Sequence, residues 1–170
     1  MKPPVGTTAA ALQTVPTGAG LYSIFVDDPR LLPASFRLAL ESRGSRLLYI
    51  GCSEASVAER LLQEDCEHRR ASTFFRGIGA VLGYRPKLGS LRGKSNQNNY
   101  RFGTGDTKKI VAWIREHISV CAVPVSLEIL ARLERDVIAE LRPILNTTYN
   151  PEAFQVLADL REECRRIARA

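Results

Sequence analysis

Residues that build metal clusters and covalent scaffolds are scarce in this sequence, which has two histidines and four cysteines among 170 residues. The cysteines stand at positions 52, 66, 121 and 164, without a C-x-x-C pair or a Cys/His group at zinc spacing. Such scattered thiols exclude a zinc finger and a disulfide scaffold. They are typical of reduced cysteines in a cytoplasmic protein, so we expect a cytoplasmic location.

Long apolar runs are missing as well. No stretch approaches the roughly 20 apolar residues that span a bilayer. The first residues, MKPPVG, are followed by small and polar residues rather than by the apolar core of a signal peptide. We therefore expect neither a membrane span nor a signal peptide.

The charge is tilted towards cations, since 24 Lys and Arg oppose 18 Asp and Glu to give a formal net charge of +6. With 45% hydrophobic residues the chain has enough apolar side chains for a packed core, which excludes wholesale disorder. The basic excess favours a polyanionic partner such as nucleic acid. A soluble protein kept away from its isoelectric point has the same balance.

Hydrophobic patterning predicts an α+β fold, a small sheet covered by helices. Strands are predicted at 20–26, 46–51 and 118–125, and the first two should pair antiparallel because too few residues separate them for a long crossover helix. Helices are predicted to begin near Ser53 or Ser56, at Ser72, at Asp106, at Ser126 and after Pro151.

Three regions follow from this pattern. Residues 1–19 are rich in Ala, Thr, Gly and Pro and form a flexible or lead-in segment. Residues 20–150 form the main domain, and residues 151–170 form a C-terminal helix packed on it. A rival hypothesis gives that last helix, 152–169, to the docking of a protein partner.

The segment 83–105 is the longest predicted loop and contains cationic residues but no acidic residue. Long loops in compact domains are usually functional or disordered. Aromatic residues (Tyr84, Tyr100 and Phe102) interleave with the cations, which suits base stacking beside phosphate contacts. The alternative is a glycine-rich loop with ordinary surface charge. The predicted nucleic-acid contacts of the loop are Arg85, Lys87, Arg92, Lys94 and Arg101.

One carboxylate falls among leucines in the helix that begins at Ser126. At helical periodicity Glu134 shares a stripe with Leu130 and Ile138, where an unpaired charge costs several kcal/mol. It could be a metal ligand or a catalytic acid. It could also pair with a core arginine, lie on a partly solvated stripe, or reflect a misjudged helix phase.

Two short motifs frame the first two strands: Gly20-Leu21-Tyr22 opens the first, and Tyr49-Ile50-Gly51 closes the second. Arg60 follows on the next helix, Glu134 stands on a late helix, and Pro143-x-x-Asn146 closes the set. In this order the residues resemble the GIY-YIG nuclease superfamily over about residues 20–146, in particular its small stand-alone bacterial members. The resemblance implies a small central antiparallel three-stranded sheet flanked by helices.

The resemblance also implies hydrolysis of a phosphodiester bond, with DNA as the expected substrate and one divalent metal, Mg²⁺ or Mn²⁺, as cofactor. Glu134 would hold the metal and Arg60 would clamp the phosphate. Tyr22 would activate the attacking water, and Tyr49 would orient the water or the phosphate. Asn146 completes the predicted catalytic set and is expected to fix a loop or a neighbour of Glu134.

Two further cations are predicted to contact nucleic acid, His68 and Arg76. A solvated surface histidine is the alternative for His68. The sequence departs from the family pattern in four places: Leu21 replaces Ile or Val, an insert lengthens the segment 28–45, Cys52 stands where many members have lysine, and Arg60 lies one residue later than in the shortest members, which leaves a slipped assignment open. The alternative function is an inactive nucleic-acid-binding module on the same scaffold. A monomer and a homodimer both remain open.

Overall fold

The computed structural model describes residues 15–68 and 72–170, so most of the predicted lead-in segment 1–19 lies outside the described residues. An antiparallel sheet of three strands forms the centre, in the order β2-β1-β3. The strands are β1 (Gly20–Val26), β2 (Leu47–Ser53) and β3 (Ile118–Pro124). The predicted strands, their antiparallel pairing and the α+β class are confirmed.

Helices surround this sheet. The insert between β1 and β2 carries a 3₁₀ turn at Pro29–Leu31 and then a helix of its own. The helices are α1 (Ala34–Ser42), α2 (Glu59–Cys66), α3 (Thr73–Val81), α4 (Thr104–His117), α5 (Leu127–Leu141) and α6 (Gln155–Arg169). None of the helices in the described part of the chain is both long and apolar enough to cross a bilayer.

The sheet separates a large core from a small one. The large core packs β1 side chains such as Tyr22 and Ile24 against α1, α2, α3, α4 and α6. The small core lies against α5 and contains Leu21, Leu47, Ile50, Leu130 and Ile138. The two motif strands therefore lie between α5 and the rest of the molecule, where both sides can bring polar groups to them.

The C-terminal helix α6 packs along α3. Its buried face consists of Leu157, Arg161, Cys164 and Ala168. Arg161 lies so close to α3 that a Cβ on Gly77 would come within 2.8 Å of its Nη2 atom. This face of α6 is part of the fold, which leaves only its outer face for the rival docking hypothesis.

The basic segment 83–103 folds back on the domain. The backbone of Lys87 pairs with that of Arg101, and Leu91 N–H donates to the carbonyl of Ala168. Tyr100 and Phe102 are 2% and 6% exposed and belong to the large core. The prediction that these two rings interleave with the cations as stacking residues is therefore wrong.

Candidate active site

The glycines of the two motifs are required by close approach. Tyr22 lies opposite Gly51 in the β1–β2 register, and a Cβ on Gly51 would come within 2.5 Å of the Tyr22 Cζ atom. A Cβ on Gly20 would overlap the Val123 carbonyl oxygen on β3. Any side chain at these positions would displace the first tyrosine or separate β1 from β3.

A carboxylate that the sequence analysis did not single out accepts a hydrogen bond from the Tyr22 hydroxyl. Asp65 on α2 is fully buried, and the hydroxyls of Tyr22 and Ser72 donate to its two oxygens. Ser72 in turn caps α3 by accepting from the Phe75 N–H at 3.0 Å. Two donors offset part of the cost of burying this charge.

The geometry of α2 brings Arg60 and Asp65 to the same place. This helix is a π-helix, in which the backbone bonds span five residues, as in the bond from Glu67 N–H to the Leu62 carbonyl. Such segments are rare and concentrate at functional sites. Burial alone would lower the pKa of Arg60, but the neighbouring Tyr22 and Asp65 raise it overall. The guanidinium therefore stays charged.

Arg60 lines a cavity of about 370 Å³ with Cys52 near the end of β2 and with residues of the β2–α2 connection, including Ser56. Its Nη1 atom donates to Glu64 one turn further along α2. Its Nε atom is buried and has no hydrogen-bond partner within the described residues.

The second tyrosine and the glutamate share another cavity. Tyr49 lies 6.4 Å from Tyr22 between ring centroids. Tyr49, Glu134 and Asn146 line a cavity of about 230 Å³, together with Thr147 and Thr148. Burial and the charge of Asp65 raise the pKa of Tyr49, and Arg60 and Glu134 act on it as well. Tyr49 therefore lies within electrostatic reach of both sides of the site.

Glu134 is half-buried, since only the middle of the α5 stripe is covered. Leu127 and Leu141 at the two ends of α5 are 61% and 50% exposed. The stripe that contains Glu134 is thus partly solvated, and the metal-ligand hypothesis for Glu134 stays a prediction. The Glu134 carboxylate also lies against the Cys52 thiol, where burial and this contact raise the pKa of Cys52 to about 12.

Asn146 binds the backbone of the second motif. Its Oδ1 atom accepts from Ile50 N–H and its Nδ2 atom donates to the Ile50 carbonyl, both at 2.9 Å. The loop that carries it is held by Arg161, which donates to the Leu145 carbonyl at 3.1 Å and to Thr147 at 3.3 Å. Asn146 thus fixes β2, and Arg161 is a supporting residue that the sequence analysis missed.

His68 and Arg76 lie on the side of the site that contains the buried Asp65. The His68 ring stacks on Phe75 at 4.0 Å, and burial together with Arg76 and Arg101 lowers its pKa to about 4. Its ring is partly covered by the fold, and its role as a nucleic-acid contact stays a prediction. Burial lowers the pKa of Arg76, whose Nη1 atom has no partner within residues 15–68 and 72–170.

The remaining predicted cations differ in availability. Arg85 pairs with Glu163 at 2.8 Å, and Arg92 donates to the carbonyl of Ala170. Lys87, Lys94 and Arg101 are exposed. The structure thus uses two of the five loop cations in internal contacts and leaves three on the surface.

An exposed aromatic residue borders the Glu134 cavity. Tyr149 lines this cavity, is 48% exposed, and lies under the Arg135 guanidinium at 5.3 Å from the ring centroid. Its backbone is left-handed, with φ of 62°. The only sequence signal was its place in the turn before Pro151, and that turn does not reveal the side-chain position.

Glu134 is the one carboxylate among the residues that line the smaller cavity. Within the described chain, no group of three or more His, Cys, Asp or Glu side chains is placed to hold a metal ion. A single carboxylate is a donor set that suits Mg²⁺, because this ion keeps several of its waters. Thr147 and Thr148 add only neutral oxygens to the lining.

The three-stranded sheet with its flanking helices is the fold expected of a nuclease-type domain, and it carries the motif residues Tyr22, Tyr49, Arg60 and Glu134. A family model described as the GIY-YIG catalytic domain matches residues 20–165. The chain belongs to the GIY-YIG nuclease superfamily. Comparison with curated proteins found no significant match, and comparison with solved structures found none either.

Proposed function

We propose that this chain is a metal-dependent endonuclease that hydrolyses phosphodiester bonds in DNA. The observation that carries the proposal is the convergence of Tyr22, Tyr49, Arg60 and Glu134 from β1, β2, α2 and α5. The electrostatic contacts of Tyr49 with Arg60 and Glu134 support a single site that includes both cavities.

Arg60 binds the scissile phosphate. Its guanidinium stays charged and lines the larger cavity. A planar guanidinium matches two phosphate oxygens, and its fixed charge opposes the charge that develops in the transition state.

Glu134 would hold the divalent cation, Mg²⁺ or Mn²⁺, at the smaller cavity. When bound, such an ion neutralises phosphate charge and lowers the pKa of a water. Tyr49 lines the same cavity and orients the water or the phosphate by hydrogen bonding. Tyr22 exchanges a proton with the attacking water on the Arg60 side.

The DNA backbone binds to cations outside the cavities. Arg76 and the exposed Lys87, Lys94 and Arg101 supply these charges. Contacts of this kind bind the backbone without reading sequence. The four cysteines are free thiols, and we place the protein in the cytoplasm, where thiols stay reduced.

Nicking of supercoiled plasmid tests the function. Wild type, Glu134→Gln and the matched control Glu140→Gln, an exposed residue of the same helix, are each incubated with Mg²⁺, Mn²⁺ or EDTA. We expect metal-dependent nicking by wild type and the control, and a loss of at least about 100-fold in Glu134→Gln because the metal is no longer held. Full activity of Glu134→Gln would exclude this assignment.

Two other outcomes separate the alternatives. Salt-dependent DNA binding without cleavage in any metal identifies an inactive binding module. Cleavage of an RNA of matched sequence, with intact plasmid, moves the substrate from DNA to RNA. Because one site cuts one strand, a monomer gives nicks first, whereas a homodimer gives linear plasmid early.

A further inference from the structure

Asp65 is a fully buried carboxylate whose only described side-chain donors are two hydroxyls, those of Tyr22 and Ser72. Burial raises its pKa, and the two hydroxyls and Arg60 act in the opposite direction. Asp65 is thus a carboxylate shielded from solvent and hydrogen-bonded to a tyrosine that lies next to Arg60, the proposed phosphate-binding residue. It can receive a proton from that tyrosine.

Tyr22 is a poor base by itself. Burial and then the charge of Asp65 raise its pKa well above the ordinary value, and Arg60 offsets only part of this. A phenolate is therefore almost absent at neutral pH. The phenol hydrogen is already directed at Asp65, so the phenol oxygen can accept a second proton only if it gives up the first.

We propose that Asp65 is the final acceptor of the proton that leaves the attacking water, and that Tyr22 passes this proton on. The proposal rests on the proposed function. One O–H bond of water breaks and one forms on the Tyr22 oxygen, while the original Tyr22 O–H bond breaks and one forms on Asp65. The hydroxide oxygen bonds to phosphorus as the P–O bond to the leaving nucleotide breaks. The leaving oxygen of that nucleotide takes a proton from solvent.

The placement of Arg60 supports this direction of transfer. Arg60 interacts with the Tyr22 hydroxyl and with Asp65, and it lines the cavity where the phosphate binds. Tyr22 is 1% exposed and lines neither cavity, so the relay places the water on the Arg60 side of the phenol oxygen and Asp65 at the inner end of the chain. Asp65 acts through Tyr22 and touches no substrate atom, so it is a positioning residue with a proton-accepting role.

Asp65→Asn separates the relay from its main rival. Asparagine keeps the shape and an oxygen acceptor for Tyr22 but cannot take up a proton. If Tyr22 works alone as a phenolate, removing the Asp65 charge lowers the Tyr22 pKa and cleavage stays the same or becomes faster. The relay predicts the opposite, a fall of about 100-fold or more in the single-turnover rate, a size typical of a lost proton acceptor.

A matched control and a DNA-binding measurement test whether Asp65→Asn loses activity only because it disturbs the structure. Asp159→Asn makes the same change at an exposed carboxylate of α6 and should cleave like wild type. Asp65→Asn should bind plasmid DNA in EDTA within about twofold of wild type, because its contact is internal. Unchanged cleavage by Asp65→Asn overturns the relay alone, whereas silent wild type overturns the proposed function together with it.

A pH profile tests the relay without relying on one variant. Asp65 must be ionised to accept a proton, so the wild-type rate should rise with pH through the Asp65 pKa and then level off. Ser72→Gly removes a hydroxyl that donates to Asp65 and lowers its pKa, and glycine is tolerated at a helix N-cap. Like Tyr22→Phe, it leaves the buried carboxylate one donor short. The rising limb should therefore move to higher pH in Ser72→Gly. An unmoved limb would count against Asp65.

Other charged and titratable groups near Asp65 also act on the pKa that this profile measures. They are Tyr22 on β1, Tyr49 on β2, Arg60, Glu64 and Cys66 on α2, and Arg76 on α3. The tyrosines and Cys66 have raised pKa values, and the arginines stay charged, so none of these five groups should produce the limb. Glu64→Gln tests the neighbouring carboxylate.

Discussion

The two sides of the candidate site are built in opposite ways. On the side of α2, Tyr22 and Asp65 are buried and hydrogen-bonded to each other. On the side of α5, Glu134 is half-buried and the helix exposes apolar side chains at both ends. The proposed function assigns proton transfer to the closed side and the hydrated ion and the phosphate to the open side.

The strongest test of this contrast compares Tyr22→Phe with Glu134→Gln. Both should reduce plasmid nicking by at least about 100-fold, since each removes a group that acts on the reacting atoms. Only Tyr22→Phe should also lower the free energy of unfolding, by about 1–3 kcal/mol, because it leaves the buried Asp65 short of a donor. Urea unfolding measures this difference. Equal stability losses in the two variants would remove the contrast.

A smaller effect is expected from one added methyl group. Gly51→Ala places a Cβ against the Tyr22 ring, and overpacking of this kind costs about 1–3 kcal/mol. Gly18→Ala is the matched control, because a Cβ there has no neighbour within 4 Å. It should change the unfolding free energy by less than about 0.5 kcal/mol. A tolerated Gly51→Ala would show that the closed side can shift.

The smallest effect concerns the unpartnered nitrogen of Arg76. Arg76→Gln should weaken DNA binding a few-fold and reduce the slope of log affinity against log salt by about 1, as for one lost phosphate contact. Arg37→Gln, on α1 outside the proposed contacts, should leave the slope unchanged. Equal slopes in both variants would place the DNA elsewhere. Fluorescence anisotropy across a salt series measures these slopes.

Local pattern was enough to predict the sheet and the open half of the site. Strand alternation marks β1 and β2, and helical periodicity places Glu134 on the same face as Leu130 and Ile138. These features depend on residues that are close in sequence. The degree of burial of that face depends on distant parts of the chain, which is why the exposed ends of α5 could not be predicted.

The closed half could not be predicted because it depends on an irregular helix. In an α-helix of 3.6 residues per turn, positions five apart, such as Arg60 and Asp65, lie about 140° from each other. The π-helical path of α2 brings them together. Tyr100 and Phe102 escaped prediction for a related reason, since backbone bonds to distant residues direct their segment into the core.

Arg161 sets the order in which the site can be completed during synthesis. The loop with Asn146 is held by an arginine 15 positions later in the chain, and β2 depends on that loop. Both motif strands and α2 leave the ribosome long before α6 does. The Arg161 contacts of the Asn146 loop can therefore form only after α6 has emerged, so the strand of the second tyrosine gains this support later than the other motif residues.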